Sequence, residues 1–184
     1  MKNRVNKSPL LALLQEKNYL IWIVYALSTL LLLLMQSAPR MFPIILNARP
    51  VPLLPYVICV AVFGGARTGA AVGLVAGLLW GVFSFRVFGF DALLLMLFGL
   101  VAGLLVEWFL RANFWTALLL CSCGVGLHLL LEWFFCYVIF GKENLLEILF
   151  KVLLPNGIYT ILITPLVYGF SLLLARFTRR KGSR

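Results

Sequence analysis

Carboxylates are what this chain has least of. Its 184 residues hold six Asp and Glu against sixteen Lys and Arg, with a single histidine, and charged residues of both signs reach only 12%. A water-soluble domain runs to about a quarter charged, so a soluble globule is excluded, and with it a cytosolic enzyme. Disorder is excluded by the opposite excess, 63% apolar residues with a mean hydropathy of +1.04. Cys59, Cys121, Cys123 and Cys136 all lie inside apolar runs, where a free thiol behaves as a small hydrophobe, which excludes a secreted disulfide scaffold. Cys121-Ser-Cys123 is a C-x-C, but zinc needs further ligands and polar groups around them. One histidine does not supply these, and no metal is expected.

Catalytic patterns are missing as well. His128-Leu-Leu-Leu-Glu132 is not H-E-x-x-H, and there is no G-x-S-x-G, no P-loop and no aspartate-rich metal motif. The acidic residues never cluster as metal-assisted phosphoryl transfer requires. The chain is therefore expected to be no enzyme and to carry no cofactor.

What is present is apolar sequence in helix-length runs. Six spans of roughly 20 residues would occupy about two-thirds of the chain, so the expected fold class is an all-α polytopic membrane protein with six transmembrane helices. Residues 1–18 read as a basic, interfacial N-terminus carrying Lys2, Arg4, Lys7 and Lys17, residues 19–175 as one six-span domain, and residues 176–184 as a basic tail. The expected spans are 19–35, 51–64, 68–85, 90–110, 114–140 and 153–175. Pro43, Pro50, Pro52 and Pro55 interrupt the run before and within the second span. Broken backbone at membrane depth survives only where protein or a water-filled cavity satisfies it, so residues 41–50 read as interfacial or re-entrant. The segment 141–151 is a charged connector, amphipathic in its second half.

The third span is a glycine ladder: Gly69, Gly73, Gly77 and Gly81 recur every fourth residue. Small residues at that spacing form one smooth stripe, which lets another backbone approach closely. The partner is either internal or a second protein. Gly99 and Gly103 form a weaker pair in the fourth span.

Charge sets the orientation. With both termini cytoplasmic, eleven cations lie inside against five outside, as the positive-inside rule favours. The basic tail is also drawn to anionic membrane lipid, so the formal +10 calls for no nucleic acid.

Ionisable groups inside apolar runs are costly and default to a functional hypothesis. His128 and Glu132, four apart on one helical face, read either as a proton or ligand site or as a hydrogen-bonded pair orienting the fifth span. The lack of a second acidic relay favours the pair. Glu107, with Arg111 one turn on and Trp108 beside it, reads as an interfacial ion pair. Asp91 reads as an N-cap or helix-dipole partner just outside the membrane, or as an external contact.

Several motifs in order resemble the rod shape-determining MreD family, over roughly residues 49–176. They are Arg49-Pro50-Val-Pro52-Leu-Leu-Pro55, then Arg67-Thr-Gly69-Ala-Ala-Val-Gly73-Leu-Val-Ala-Gly77, then Phe88-Gly89-Phe90-Asp91. Gly99-Leu-Val-Ala-Gly103, Lys151-Val-Leu-Leu-Pro155-Asn156-Gly-Ile-Tyr159-Thr and Pro165-Leu-Val-Tyr168 follow. Members often carry an acidic residue after the glycine helix, where this chain has Trp80-Gly81, so no role tied to that carboxylate carries over. The resemblance implies a non-enzymatic, multi-pass protein of the bacterial cytoplasmic (inner) membrane, acting in the elongation complex that directs lateral peptidoglycan synthesis. It implies as partners MreC, MreB, RodA and a penicillin-binding transpeptidase, and a fold similar to the substrate-binding subunits of energy-coupling-factor transporters. That similarity supplies the alternative, a vitamin-transporter subunit. Those subunits typically dock their coupling partner through an AxxxA ladder on the first span. Here that span has none, and a vitamin pocket needs several convergent polar groups, of which these spans offer few.

Overall fold

The structure, a computed structural model, describes residues 19–37, 50–84, 89–135 and 149–182. Expectations for the N-terminal segment 1–18, the proline-interrupted stretch before residue 50 and most of the charged connector lie outside the described residues. Among the described residues the chain is entirely helical: α1 (Tyr19–Ser37), α2 (Leu53–Gly64), α3 (Ala66–Ser84), α4 (Phe90–Trp108), α5 (Phe114–Trp133), a π-helical turn (Leu149–Leu153) and α6 (Leu154–Gly182).

Local chemistry sets the boundaries. α2 and α3 are separated by Gly65 alone, whose φ of 85° and ψ of 173° fall in a region essentially reserved for glycine. Gly65 N–H donates to Ala61 C=O at 2.9 Å, and Gly65 C=O accepts from Gly69 N–H at 3.0 Å, so the break keeps both backbone groups bonded. Gly89, at φ 93° and ψ −18°, opens α4 in the left-handed region, which glycine also enters without strain. α6 contains Pro165 and still runs on through Gly182, further than the span expected from its apolar residues.

The centre of the bundle is α2. Every residue from Leu53 to Val62 is buried, and α2 packs against α3, α4, α5 and α6, with a smaller contact to α1. Two apolar clusters meet on it. One joins Leu54, Ile58 and Val62 to Phe98 of α4 and to Leu120 and Val125 of α5. The other joins Leu53, Tyr56, Val57 and Val60 to Tyr25 and Leu33 of α1, Val72 of α3 and Val167 of α6.

The 12 residues of α2 rise only about 18 Å, well short of a hydrocarbon core of roughly 30 Å. Its first residues, Leu53 to Tyr56, are buried within the protein, where unbonded N–H groups cost several kcal/mol each. The prolines reduce that cost. Pro52 and Pro55 have no N–H to satisfy at the first turn, Val51 N–H donates to Thr160 Oγ1 at 3.1 Å, and Tyr56 N–H donates to Pro52 C=O at 3.1 Å.

The outside is as apolar as the inside. Leu93, Leu119, Leu162, Leu166 and Val82 are all exposed, a surface suited to lipid rather than water. Three helices are long and apolar enough to cross a membrane: Phe90–Trp108, Phe114–Trp133 and Leu154–Arg176. Ile21–Ser37, Leu53–Gly64 and Ala66–Val82 are apolar but shorter.

Candidate functional site

The glycine stripe of α3 faces α4, within the same chain. A methyl group built on Gly69 would lie 2.7 Å from Gly99 C=O, one on Gly77 would lie 2.6 Å from Asp91 C=O, and one on Gly73 would overlap Leu95 C=O. The relation is reciprocal: a methyl on Gly99 would strike the Gly69 carbonyl, and one on Gly103 would lie 2.5 Å from Ala66 N. As the number rises along α3 it falls by the same step along α4, so the pair is antiparallel and in register through five glycines. This seam is the most extensive helix contact among the described residues. Gly81 differs. It is buried, but a methyl there would find only Gly89 N, at 3.9 Å, because α3 and α4 are about to part into their connection. The partner left open by the sequence is thus α4 for Gly73 and Gly77, and both α4 and α2 for Gly69, where a methyl would also overlap the Ala61 side chain.

Three ionisable residues, Asp91, His128 and Glu132, lie in the half of the bundle where α4 begins and α5 ends. His128 is 4% exposed, and its ring lies 5.9 Å from that of Trp80 and 6.3 Å from that of Phe98. Its Nε2 is 3.8 Å from Glu132 Oε2. That is ion-pair range but too long for a hydrogen bond, so the hydrogen-bonded pair expected from the spacing is corrected to an electrostatic contact inside an aromatic frame. Asp91 lies on the Phe98 face of α4 two turns nearer its start, and the Phe90 ring is 5.3 Å from Phe135. Asp91 is therefore level with the Glu132 end of α5.

Two expectations for Asp91 are corrected. The N-cap is Gly89, with no side-chain cap, and Asp91 sits inside the first turn, where a carboxylate still interacts favourably with the positive end of the helix dipole. At 1% exposure it is no external contact. Close packing of α3 on α4, which brings the Asp91 carbonyl against Gly77, is what encloses this turn.

Pro155 and Tyr159 lie on the first turns of α6, both half-buried. Pro155 falls where a missing N–H is harmless. The residue beside them that links helices is Thr160, whose Oγ1 donates to Asn156 C=O at 2.7 Å while accepting the Val51 N–H. Gly157 meets the Leu129 side chain of α5, which a methyl there would approach to 2.5 Å.

Other linking residues were not singled out from the sequence. Ser28 Oγ donates to Tyr25 C=O at 2.9 Å, so the Tyr56 hydroxyl, 2.5 Å away, donates to Ser28, and Thr29 Oγ1 also reaches Tyr25 C=O at 2.7 Å. The available signal was a Ser-Thr pair in mid-span with one tyrosine inside the next apolar run. Glu107 is likewise corrected: its Oε1 accepts from Ala66 N–H at 2.9 Å, so the carboxylate of α4 caps the N-terminus of α3 rather than pairing with Arg111.

Chemically, the site around His128 is an enclosed polar point in an apolar bundle, suited to holding helices in place. Among the described residues no group of three His, Cys, Asp or Glu side chains is placed to hold a metal ion, and Cys59 and Cys121 are free thiols in the core. Comparison with protein-family models, with curated proteins and with solved structures finds no match.

Proposed function

We propose that the chain is a non-enzymatic integral membrane scaffold of the bacterial cell-elongation complex, linking cell-shape proteins to lateral peptidoglycan synthesis. In this reading all six helices belong to one inner-membrane domain with both termini in the cytoplasm. The short α2 crosses as a protein-sheathed segment, and the bundle is similar to the substrate-binding subunits of energy-coupling-factor transporters.

The observation that carries the scaffold reading is the filled centre. α2 is buried along its whole length between two side-chain clusters, so the position a bundle would use as a ligand chamber is occupied by a helix. The apolar outer faces of α1, α4, α5 and α6 are what remains for other membrane helices. The rod-complex assignment itself rests on the order of the motifs from Arg49 to Tyr168. Its partners are MreC, RodA, the penicillin-binding transpeptidase and MreB, with anionic lipid at the basic tail. The alternating helix directions support the charge-based orientation, because the Arg67 and Arg111 ends of α3 and α4 come together through the Glu107–Ala66 bond.

The test is affinity purification from native membranes in mild detergent with crosslinking, read by mass spectrometry. Recovery of MreC, RodA or the transpeptidase supports the scaffold. Recovery of paired ATPases with a transmembrane coupling subunit replaces it with the transporter reading. Orientation is checked with cysteines at positions 40, 142 and 111. The first two are expected to react with an impermeant maleimide from outside and the third only after permeabilisation.

A further inference from the structure

The α4–α5 connection presents an unusual surface. Trp108, Phe109 and Trp115 are 77%, 80% and 76% exposed, the most open aromatic side chains among the described residues. They stand at the ends of α4 and α5 rather than along them. Arg67 and Arg111 are exposed beside them. Glu107, one turn before Arg111 in the chain, has its Oε1 taken by the N–H of Ala66, the residue before Arg67, at 2.9 Å. Among the described residues neither guanidinium enters an ion pair.

We propose that this end of the bundle is a binding surface for anionic phospholipid, with Arg67 and Arg111 engaging the phosphate and Trp108 and Trp115 anchoring at headgroup level. Charge complementarity selects the occupant. Guanidinium forks match a phosphate's oxygens, and indoles prefer the boundary where one edge is wet and the other apolar. A soluble polyanion would satisfy the arginines and leave three large aromatics in water. A zwitterionic lipid would cover the aromatics but bring a cation beside each phosphate. Only an anionic lipid answers both. The proposal rests on the membrane-embedded reading and not on the rod-complex assignment, so a failed partner capture leaves it standing.

The experiment is native mass spectrometry of the full chain in detergent, titrated with phosphatidylglycerol or with phosphatidylcholine of the same acyl chains. The wild type is expected to prefer phosphatidylglycerol. Arg111→Gln should weaken that binding about fivefold and the Arg67→Gln/Arg111→Gln pair roughly 30-fold, with phosphatidylcholine unchanged. Trp108→Ala with Trp115→Ala should weaken both lipids alike. An undiminished phosphatidylglycerol preference in the double arginine variant overturns the proposal, as does competition by inorganic phosphate at concentrations similar to the lipid. Should the arginine variant not purify, the wild type decides the matter. Its phosphatidylglycerol preference is expected to fall as ionic strength rises, and a salt-independent preference overturns the assignment.

Discussion

The antiparallel glycine seam makes a sharp prediction when one rung is compared with the position just past it. In Gly73→Ala the new methyl would overlap Leu95 C=O and lie 2.8 Å from Leu95 C and 3.0 Å from Met96 N. All three are backbone atoms, so no side chain can rotate aside, and α3 and α4 have to separate along the seam. Overpacking of this kind costs about 1–3 kcal/mol. Gly81→Ala carries the same gain in helix propensity, about 1 kcal/mol, but its methyl finds nothing nearer than 3.9 Å. The propensity gain cancels in the comparison, so the two variants should differ by the packing term alone. For a chain of this size that corresponds to about 3–10 °C in melting temperature, with Gly73→Ala the lower. The assay is thermal unfolding of both variants in one mild detergent, followed by far-ultraviolet circular dichroism. Equal melting temperatures would refute the argument that backbone contact, rather than glycine content, fastens these helices. Replacing Gly73 and Gly77 together with Leu is expected to prevent folding outright, so any loss of partners in that variant would reflect the fold and not an interface.

Other outcomes follow from single contacts. Glu107→Leu removes the cap on Ala66 N–H and should cost about 1–2 kcal/mol, whereas Glu107→Gln, which keeps an acceptor, should cost less than half as much; equal losses in thermal unfolding would dismiss the capping role. Tyr56→Phe and Ser28→Ala each break the hydroxyl pair at about 0.5–1.5 kcal/mol. A double-mutant cycle should show them coupled, and strict additivity would count against the bond. Replacing His128 and Glu132 together with Ala empties the space between Trp80 and Phe98 and is expected to lower stability by roughly 2–4 kcal/mol. A pH-dependent transport signal abolished by Glu132→Gln would instead make this a proton site.

Helix positions were legible in the sequence because their causes are local. Apolar length acts within a turn or two of chain, and the four-residue glycine period fixes one smooth stripe whatever lies opposite; that Gly65 and Gly89 are the breaks came only with their positive φ. The sequence by itself also pointed to the class: so few charges, placed mostly at the ends of apolar runs, agree with an all-helical fold in which three helices are long and apolar enough to cross a membrane. Only the tertiary structure decided that the stripe meets α4, that the short α2 is the centre, that Glu107 caps α3, and that Asp91 is enclosed rather than facing outward. The physical reason is that lipid tails are as apolar as a packed core. In a soluble protein the water-facing side of a helix is marked by polar residues; here Leu166, exposed, and Leu95, buried, are the same residue type. Hydropathy therefore cannot tell outside from inside, and the difference is made by which backbones can approach, a property of pairs of helices that no single stretch of sequence contains.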